Sequence, residues 1–388
     1  MKPLIAILIF APFAVHGANT ALQCGRLVDV RALEVHAERT IVIQDQRIAR
    51  VASGFEAPEG ATVIDLRNQT CMPGLIDLHV HLGGELSPAS YMEGVQLNPA
   101  DAAVRGVANA LKTLRAGFTS VRELGNADGV SVALRNAINR GIIPGPRMQS
   151  AGVITSTGGH GDPTNGLRAD LMGNPGPEVG IVSGPDEARR AVRQRYKEGF
   201  DLIKITTTGG VLSMSKSADA PLLTDAELAA IVATARDYGF PVATHAHGAE
   251  GMKRAIRAGI TSIEHGTYMD DEAIALMKRQ GTWYVPTISA GRYTAERART
   301  DGFFPEIVRP KALAVGPLVQ GTFGRAYKAG VKIAFGTDSG VSPHGQNARE
   351  FEYMVEAGMP PLEAIRAATL NAATVMGWED RVGTIEAG

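Results

Sequence analysis

The sequence predicts an α/β protein: a (β/α)8 TIM barrel with a small β-domain formed by the N-terminal segment and the C-terminal tail. Three observations carry this. From Pro73 onward, eight short apolar runs alternate with stretches of helical pattern. Many of the helical stretches end in Ala-Gly or Glu-Gly (116–117, 198–199, 258–259, 329–330), where glycine supplies the left-handed turn that stops a helix. Hard polar residues end several of the apolar runs, as a polar site at the mouth of a parallel barrel requires.

The chain has 388 residues, more than a typical single core, and a barrel with a small accessory domain fits that length. With 44% hydrophobic and 20% charged residues it reads as soluble and globular. A net charge of −1 gives no reason to expect nucleic acid or an anionic membrane as partner.

Residues 1–17 read as a secretory signal peptide. Lys2 precedes an apolar stretch at 4–15, and His16-Gly17-Ala18 follows, with cleavage expected after Gly17. The apolar run is short for a membrane span. The expected location is therefore periplasmic or secreted, with no membrane attachment after cleavage. Residues 18–70, joined by 380–388, are expected to make the small β-domain, from ALQCGRLVDV, RTIVIQDQRIARVA and ATVIDLRNQT. Cys24 and Cys71 fall here. An exported protein permits their pairing, while two buried small apolar residues would look the same in sequence.

The barrel is expected over 71–379. Its strands are LIDLHVHL, FTSVREL, RMQSAGV, LIKITTTG, PVATHAH, TSIEHG, WYVPTI and KIAFGTDS. Helices are expected at 99–115, 130–140, 185–198, 225–238, 249–258, 270–280 and 318–329, and two more in the tail at 346–357 and 361–376. Thr224 with Glu227 three residues later marks a helix start. The closing RVGTIEAG reads as the start of another strand pair. The long connections at 83–98, 154–183, 209–223 and 289–316 should carry substrate contacts, and the Gly- and Pro-rich stretch around His160 could serve as a lid.

Six residues carry the chemistry. His79 and His81 are two apart on a strand, so both can face the barrel mouth and bind one ion. Alone, the pair would equally suit a solvated strand face. Lys204 lies in the buried run LIKIT, where an unpaired ammonium is costly. A paired structural lysine is one reading. Beside ligand histidines the better one is a neutral amine that takes up CO2 and bridges two metal ions as a carbamate. His245 and His265 end the next two strands, each as readily a hydrogen-bonded core histidine as a ligand when taken singly. Asp338 ends the eighth, placed to ligate a metal and accept a proton from water, although a turn-forming Asp reads alike.

Together PGLIDLHVH, the strand lysine, THAHG, IEHGT and GTDSG resemble the amidohydrolase superfamily. The nearer likeness is to the branch of imidazolonepropionase-like proteins and metal-dependent Xaa-Pro and Xaa-Arg dipeptidases, which includes enzymes that hydrolyse ochratoxin A, a phenylalanine amide. It covers about 24–388. This resemblance implies two divalent metal ions: His79, His81 and Asp338 would hold one, His245 and His265 the other, with carboxylated Lys204 and a hydroxide between them. Zinc suits imidazole and carboxylate donors, with manganese and cobalt as alternatives. The bridging hydroxide would attack the amide, with Asp338 passing its proton to the leaving amine. His160, His247 and Tyr268 are the candidates for contacts to the oxyanion or a substrate carboxylate. Arg168 and Arg292 could also meet a carboxylate but read more simply as surface residues. Relatives continue past a GTIEAG-like segment with strands that rejoin the small domain; the chain ends at Gly388, so an incomplete small domain is expected.

The leading expectation is a binuclear amidohydrolase cleaving small N-acyl amino acids or dipeptides, in the manner of a carboxypeptidase or dipeptidase, with ochratoxin A among the candidates. A homo-oligomer is expected because relatives often assemble. A deaminase or cyclic-amide hydrolase is the alternative; deaminases generally lack the bridging lysine, whereas cyclic-amide hydrolases can carry it. Lactone or phosphotriester hydrolysis would use the same metal pair. A non-catalytic periplasmic binding protein would have no need of Asp338 beside such a pair.

Overall fold

A computed structural model describes residues 19–125 and 129–388. The expected signal segment, 1–17, lies outside the described residues. Two compact units result. One comprises the residues up to Pro73 with Thr384–Gly388; the other is Gly74–Gly383.

The small unit is a sheet of four strands: β1 (Thr20–Asp29), β2 (Glu34–Gln44), β3 (Arg47–Ser53) and β4 (Thr62–Cys71), in the order β3-β2-β1-β4. The β1–β2 and β2–β3 pairs are antiparallel and β1–β4 is parallel. Leu27, Ile41 and the half-buried Ile385 of the tail pack around Cys24. Cys24 and Cys71 form a disulfide, with Cα atoms 5.9 Å apart, which decides between the two readings of these cysteines. The tail does not start a strand pair. Gly388 instead donates its backbone N–H to Ile48 O at 2.9 Å.

The large unit is a TIM barrel. Its first half runs β5 (Leu75–Val80), α1 (Ser90–Gln96), α2 (Pro99–Arg115), β6 (Phe118–Glu123), α3 (Val130–Asn139), β7 (Arg147–Ser156), α4 (Ala169–Met172), β8 (Ile181–Val182) and α5 (Pro185–Lys197). It continues with β9 (Leu202–Thr206), α6 (Asp225–Asp237), β10 (Val242–Ala246), α7 (Ala249–Ala258), β11 (Ser262–His265), α8 (Asp271–Gln280) and β12 (Trp283–Val285). The remaining helices are α9 (Ile288–Arg297), α10 (Arg309–Lys328), α11 (Arg349–Glu356), α12 (Pro361–Arg366) and α13 (Ala372–Met376). The sheet order is β12-β11-β10-β9-β7-β6-β5, all parallel, and the two-residue β8 pairs only with β7.

The expected eighth strand, 332–339, is not a regular ladder. It closes the ring by single bridges, Tyr284 with Ile333 on one side and Val80 with Ser339 on the other. A left-handed backbone at Asp338 (φ +57°) interrupts the pairing where the strand reaches the site.

Most helices fall where the sequence places them. Thr224 caps α6: its hydroxyl accepts from Glu227 N at 3.3 Å, and the Glu227 carboxylate accepts from Thr224 N at 2.8 Å. The glycines expected to stop helices, Gly117, Gly199, Gly259 and Gly330, are all left-handed. Two expectations fail. The connection 289–316 contains α9 and the start of α10, which begins at Arg309 and runs through Pro317 instead of starting at Leu318. The helix expected at 361–376 is broken by a π-helical turn, Ala367–Asn371.

Packing holds the site strands in place. On β9, Ile203 and Ile205 face the helix layer and pack with Val192, Leu228 and Ile231, all fully buried. Such a side chain contributes roughly 1.5–3 kcal/mol when buried. Alternation then sends Leu202, Lys204 and Thr206 the other way, into the barrel.

Candidate metal centre

The six expected ligands converge at the end of the barrel where the strands finish. Asp338 Oδ1 lies 3.4 Å from His79 Nε2 and 3.3 Å from His81 Nε2. One donor atom from each of these three residues falls within 4.8 Å of the others. Lys204 Nζ is 3.4 Å from His79 Nε2. The His265 ring centre is 5.0 Å from that of His79 and 4.6 Å from that of His245. His160 lies 4.2 Å from His245, and His247 is 4.7 Å from His245.

A histidine ligates through one ring nitrogen, and the partner of the other nitrogen sets the tautomer. His79 Nδ1 donates to Glu264 at 3.0 Å and His81 Nδ1 to Gly125 O at 2.8 Å. His245 Nε2 donates to Gly209 O at 2.9 Å. His265 Nδ1 donates to Thr287 Oγ1 at 2.7 Å; that hydroxyl gives its own proton to Pro286 O, so it must accept. The opposite nitrogens of all four rings are thereby left as acceptors. Asp338 Oδ1 is buried and has no hydrogen-bond donor. A buried carboxylate oxygen facing the unengaged ring nitrogens of His79 and His81 fits a divalent cation.

Electrostatics agree with this donor set at three of the four rings; at His81 the Asp338 carboxylate outweighs burial and raises the ring's proton affinity. Burial, then the nearby Lys204 ammonium, pulls His79 down to about 4. Burial first, and neighbouring imidazoles next, put His245 and His265 well below the usual histidine range. Each is thus held in its neutral, metal-binding form. Burial works to raise the Asp338 carboxyl, but His79, His81 and Lys204 outweigh it and the net shift is downward. Burial brings Lys204 down to about 8, against the pull of Glu264 and Asp338, which leaves a neutral fraction at ordinary pH.

These side chains open on a cavity of 1230 Å³ that His160 and His247 also line. Burial, then the charges of His247 and Lys204, lowers His160 to about 3, and its buried Nδ1 has no partner. Tyr268 stands apart from the cavity lining; its ring packs in the apolar cluster of Val211, Leu212 and Phe304. Arg168 and Arg292 are engaged on the surface, with Asp170 and Glu356.

The sequence reading passed over the residues that hold the ligands. Arg122 and Glu264 form a fully buried ion pair of 2.7 Å under His79. Asp77 accepts from His79 N, Thr337 Oγ1 and Asn347 Nδ2, tying the first strand to the turn that carries Asp338. Glu123 accepts from Leu82 N and Gly125 N beside His81. Lys311 donates to the carbonyls of Gly210, Ser213 and Ser215, fixing the loop against which His160 packs. The signal was present: charged residues inside runs otherwise apolar enough to be buried strands, as in FTSVREL and TSIEHG.

Comparison with known proteins identifies the family. An ochratoxinase of Aspergillus niger is 36% identical over 355 residues, covering 87% of this chain and 72% of that protein. The crystal structure of a Xaa-Pro dipeptidase with methionine bound in its active site superposes with a TM-score of 0.94 at 50% identity, covering 96% of this chain and 92% of that one. A prolidase complexed with N-methylphosphonate-L-proline gives a TM-score of 0.87 at 31% identity, over 96% of this chain and 90% of that one. The amidohydrolase family pattern matches residues 70–388. With its barrel, its strand-end histidines and this match, the chain belongs to the amidohydrolase family and is a hydrolase acting on amide or peptide bonds.

Proposed function

We propose that the protein is a binuclear metal-dependent amidohydrolase that releases an amino acid from small N-acyl amino acids or dipeptides. The observation that carries this is Lys204, an amine brought down to about 8 and 3.4 Å from a ligand imidazole, in the cavity that His79, His81, Asp338, His245 and His265 also line. His79, His81 and Asp338 would hold one ion, and His245 and His265 the second. The neutral Lys204 amine would add to CO2, forming an N–C bond and releasing one proton, and the resulting carbamate would bridge the two. When bound, two divalent ions, zinc first among them, supply Lewis-acid polarisation and water activation at neutral pH.

The chain's own groups do the rest. Asp338, held ionised, accepts the proton of the attacking water and delivers it to the leaving nitrogen. His160 and His247, both neutral, can donate to the developing oxyanion or to the substrate carboxylate. Tyr268 is the weaker candidate for the same task, since it sits off the cavity lining. The relatives named ochratoxinase, Xaa-Pro dipeptidase and prolidase support an amino acid as the released product. Export through the N-terminal signal is part of the reading, and the Cys24–Cys71 disulfide supports an oxidising compartment.

Metal analysis of the purified protein, alongside a panel of N-acyl amino acids, dipeptides and ochratoxin A, tests it. About two ions per chain with release of free amino acid is the expected result. One ion and no amide cleavage would move the assignment to a deaminase or cyclic-amide enzyme.

A further inference from the structure

A regular strand sends successive side chains to opposite faces. On β11, Ser262 and Glu264 face the barrel axis: Ser262 Oγ donates to Glu264 Oε1, and Arg122 reaches both side chains. His265 comes next and should face away. Its ring nevertheless lies 5.0 Å from His79. The backbone makes the reversal, because His265 is left-handed at φ +72°. A conformation of that kind is strained outside glycine and persists only when the surroundings impose it.

Two side chains impose it. Tyr284 Oη donates to His265 O at 2.8 Å, passing beneath Gly266, where a Cβ would strike the Tyr284 ring at 2.7 Å. Thr287 Oγ1 takes the His265 Nδ1 proton. Thr287 is itself left-handed at φ +52°, an outlier for a β-branched residue. Beyond it, the N–H groups of Ile288 and Ser289 and the Ser289 hydroxyl all converge on Glu350, at 2.8, 2.7 and 2.6 Å. Glu350 sits in the first turn of α11, fully buried, and does not line the cavity.

We propose that Glu350 is a positioning residue: its carboxylate pins the first turn of α9, which fixes Thr287, which fixes the tautomer and aim of His265. Burial pushes this carboxyl up to about 7 even against its Ser289 hydrogen bonds, so the group is kept inside at a cost in stability. The inference rests on the proposed role of His265 as a metal donor.

The test is a Co2+ titration of metal-free protein, followed by visible absorbance, for wild type, Glu350→Gln, Thr287→Val and the double variant. The second equivalent should bind roughly 10–100-fold more weakly in each single variant while the first is unchanged. The double variant should be no worse than the weaker single one, because both act through one path. Ser289→Ala keeps the carboxylate and removes one donor; it should shift the second equivalent the same way by less, and it serves if Glu350→Gln fails to fold. Wild-type Co2+ affinity in Ser289→Ala and Thr287→Val, or losses that simply add in the double variant, would overturn the proposal. A wild type that binds a single Co2+ would instead defeat the binuclear reading on which it stands.

Discussion

Glu264 accepts the Nδ1 proton of His79 at 3.0 Å, and its other oxygen takes Arg122 at 2.7 Å. Arg122 also donates to Leu78 O, so one buried guanidinium braces both the strand that carries His79 and the carboxylate that orients its ring. Burial alone would raise the Glu264 carboxyl; Arg122 and His79 outweigh it and hold it down at about 2.

Removing the carboxylate should therefore do two separable things. Glu264→Ala leaves Arg122 buried without a counter-ion, which costs on the order of 3–5 kcal/mol. Glu264→Gln preserves the volume and should lower metal affinity about 10–100-fold through His79. Urea unfolding of the metal-free protein reads the first effect, and metal titration reads the second. An alanine variant as stable as wild type would show that Arg122 is not held by this pair.

Lys204→Ala should lose metal and activity together. Short carboxylic acids added to the variant should restore part of both by standing in for the bridge, while leaving wild type unaffected. Full activity with a single metal in the alanine variant would rule out Lys204 as a bridging ligand.

Much of this site was legible in sequence because its signals are local. Two histidines at i and i+2, a lysine inside an apolar run and polar residues closing strands can each be read without knowing the fold. Which partners hold the ligands was not legible, because each pairing joins residues at least 61 apart: Asp77 meets Asn347, His79 meets Glu264, and Ser289 meets Glu350. Helix α9 was missed because ISAGRYTAER opens on a left-handed Thr287 and no side-chain cap, so no start signal precedes it. The placement of His265 was read correctly at a strand end, yet strict alternation after Glu264 would have turned it outward.

The disulfide makes a prediction about the small unit. Cys24 and Cys71 are 47 residues apart, and closing a loop of that length stabilises by about 4 kcal/mol in the chain-entropy account. Reduction, or a Cys24→Ser/Cys71→Ser pair, should make β1–β4 the first segment cut in limited proteolysis, with the barrel surviving. Identical cleavage kinetics in the oxidised and reduced protein would mean that Leu27, Ile41 and their neighbours hold the sheet unaided.

Stability of the metal-free protein should fall as pH drops below about 6.5. Among the described residues, six imidazoles have lowered proton affinity in the fold: His79, His160, His245, His247, His265 and His344. Below 6.5 the unfolded chain protonates them and the folded chain does not, so acid favours unfolding. Among the described residues, Asp77 at about 6, Glu350 at about 7, and His81, which Asp338 draws upward against burial, oppose this by gaining proton affinity on folding. Six against three sets the sign. Each unbalanced group contributes about 1 kcal/mol per pH unit, so the urea midpoint should decline steadily from pH 6.5 toward 5. Saturating zinc should make the decline steeper through His81, whose raised proton affinity in the metal-free fold would be lost to a bound ion. A midpoint that stays flat over this range without metal would mean that the imidazoles are not held neutral by the fold.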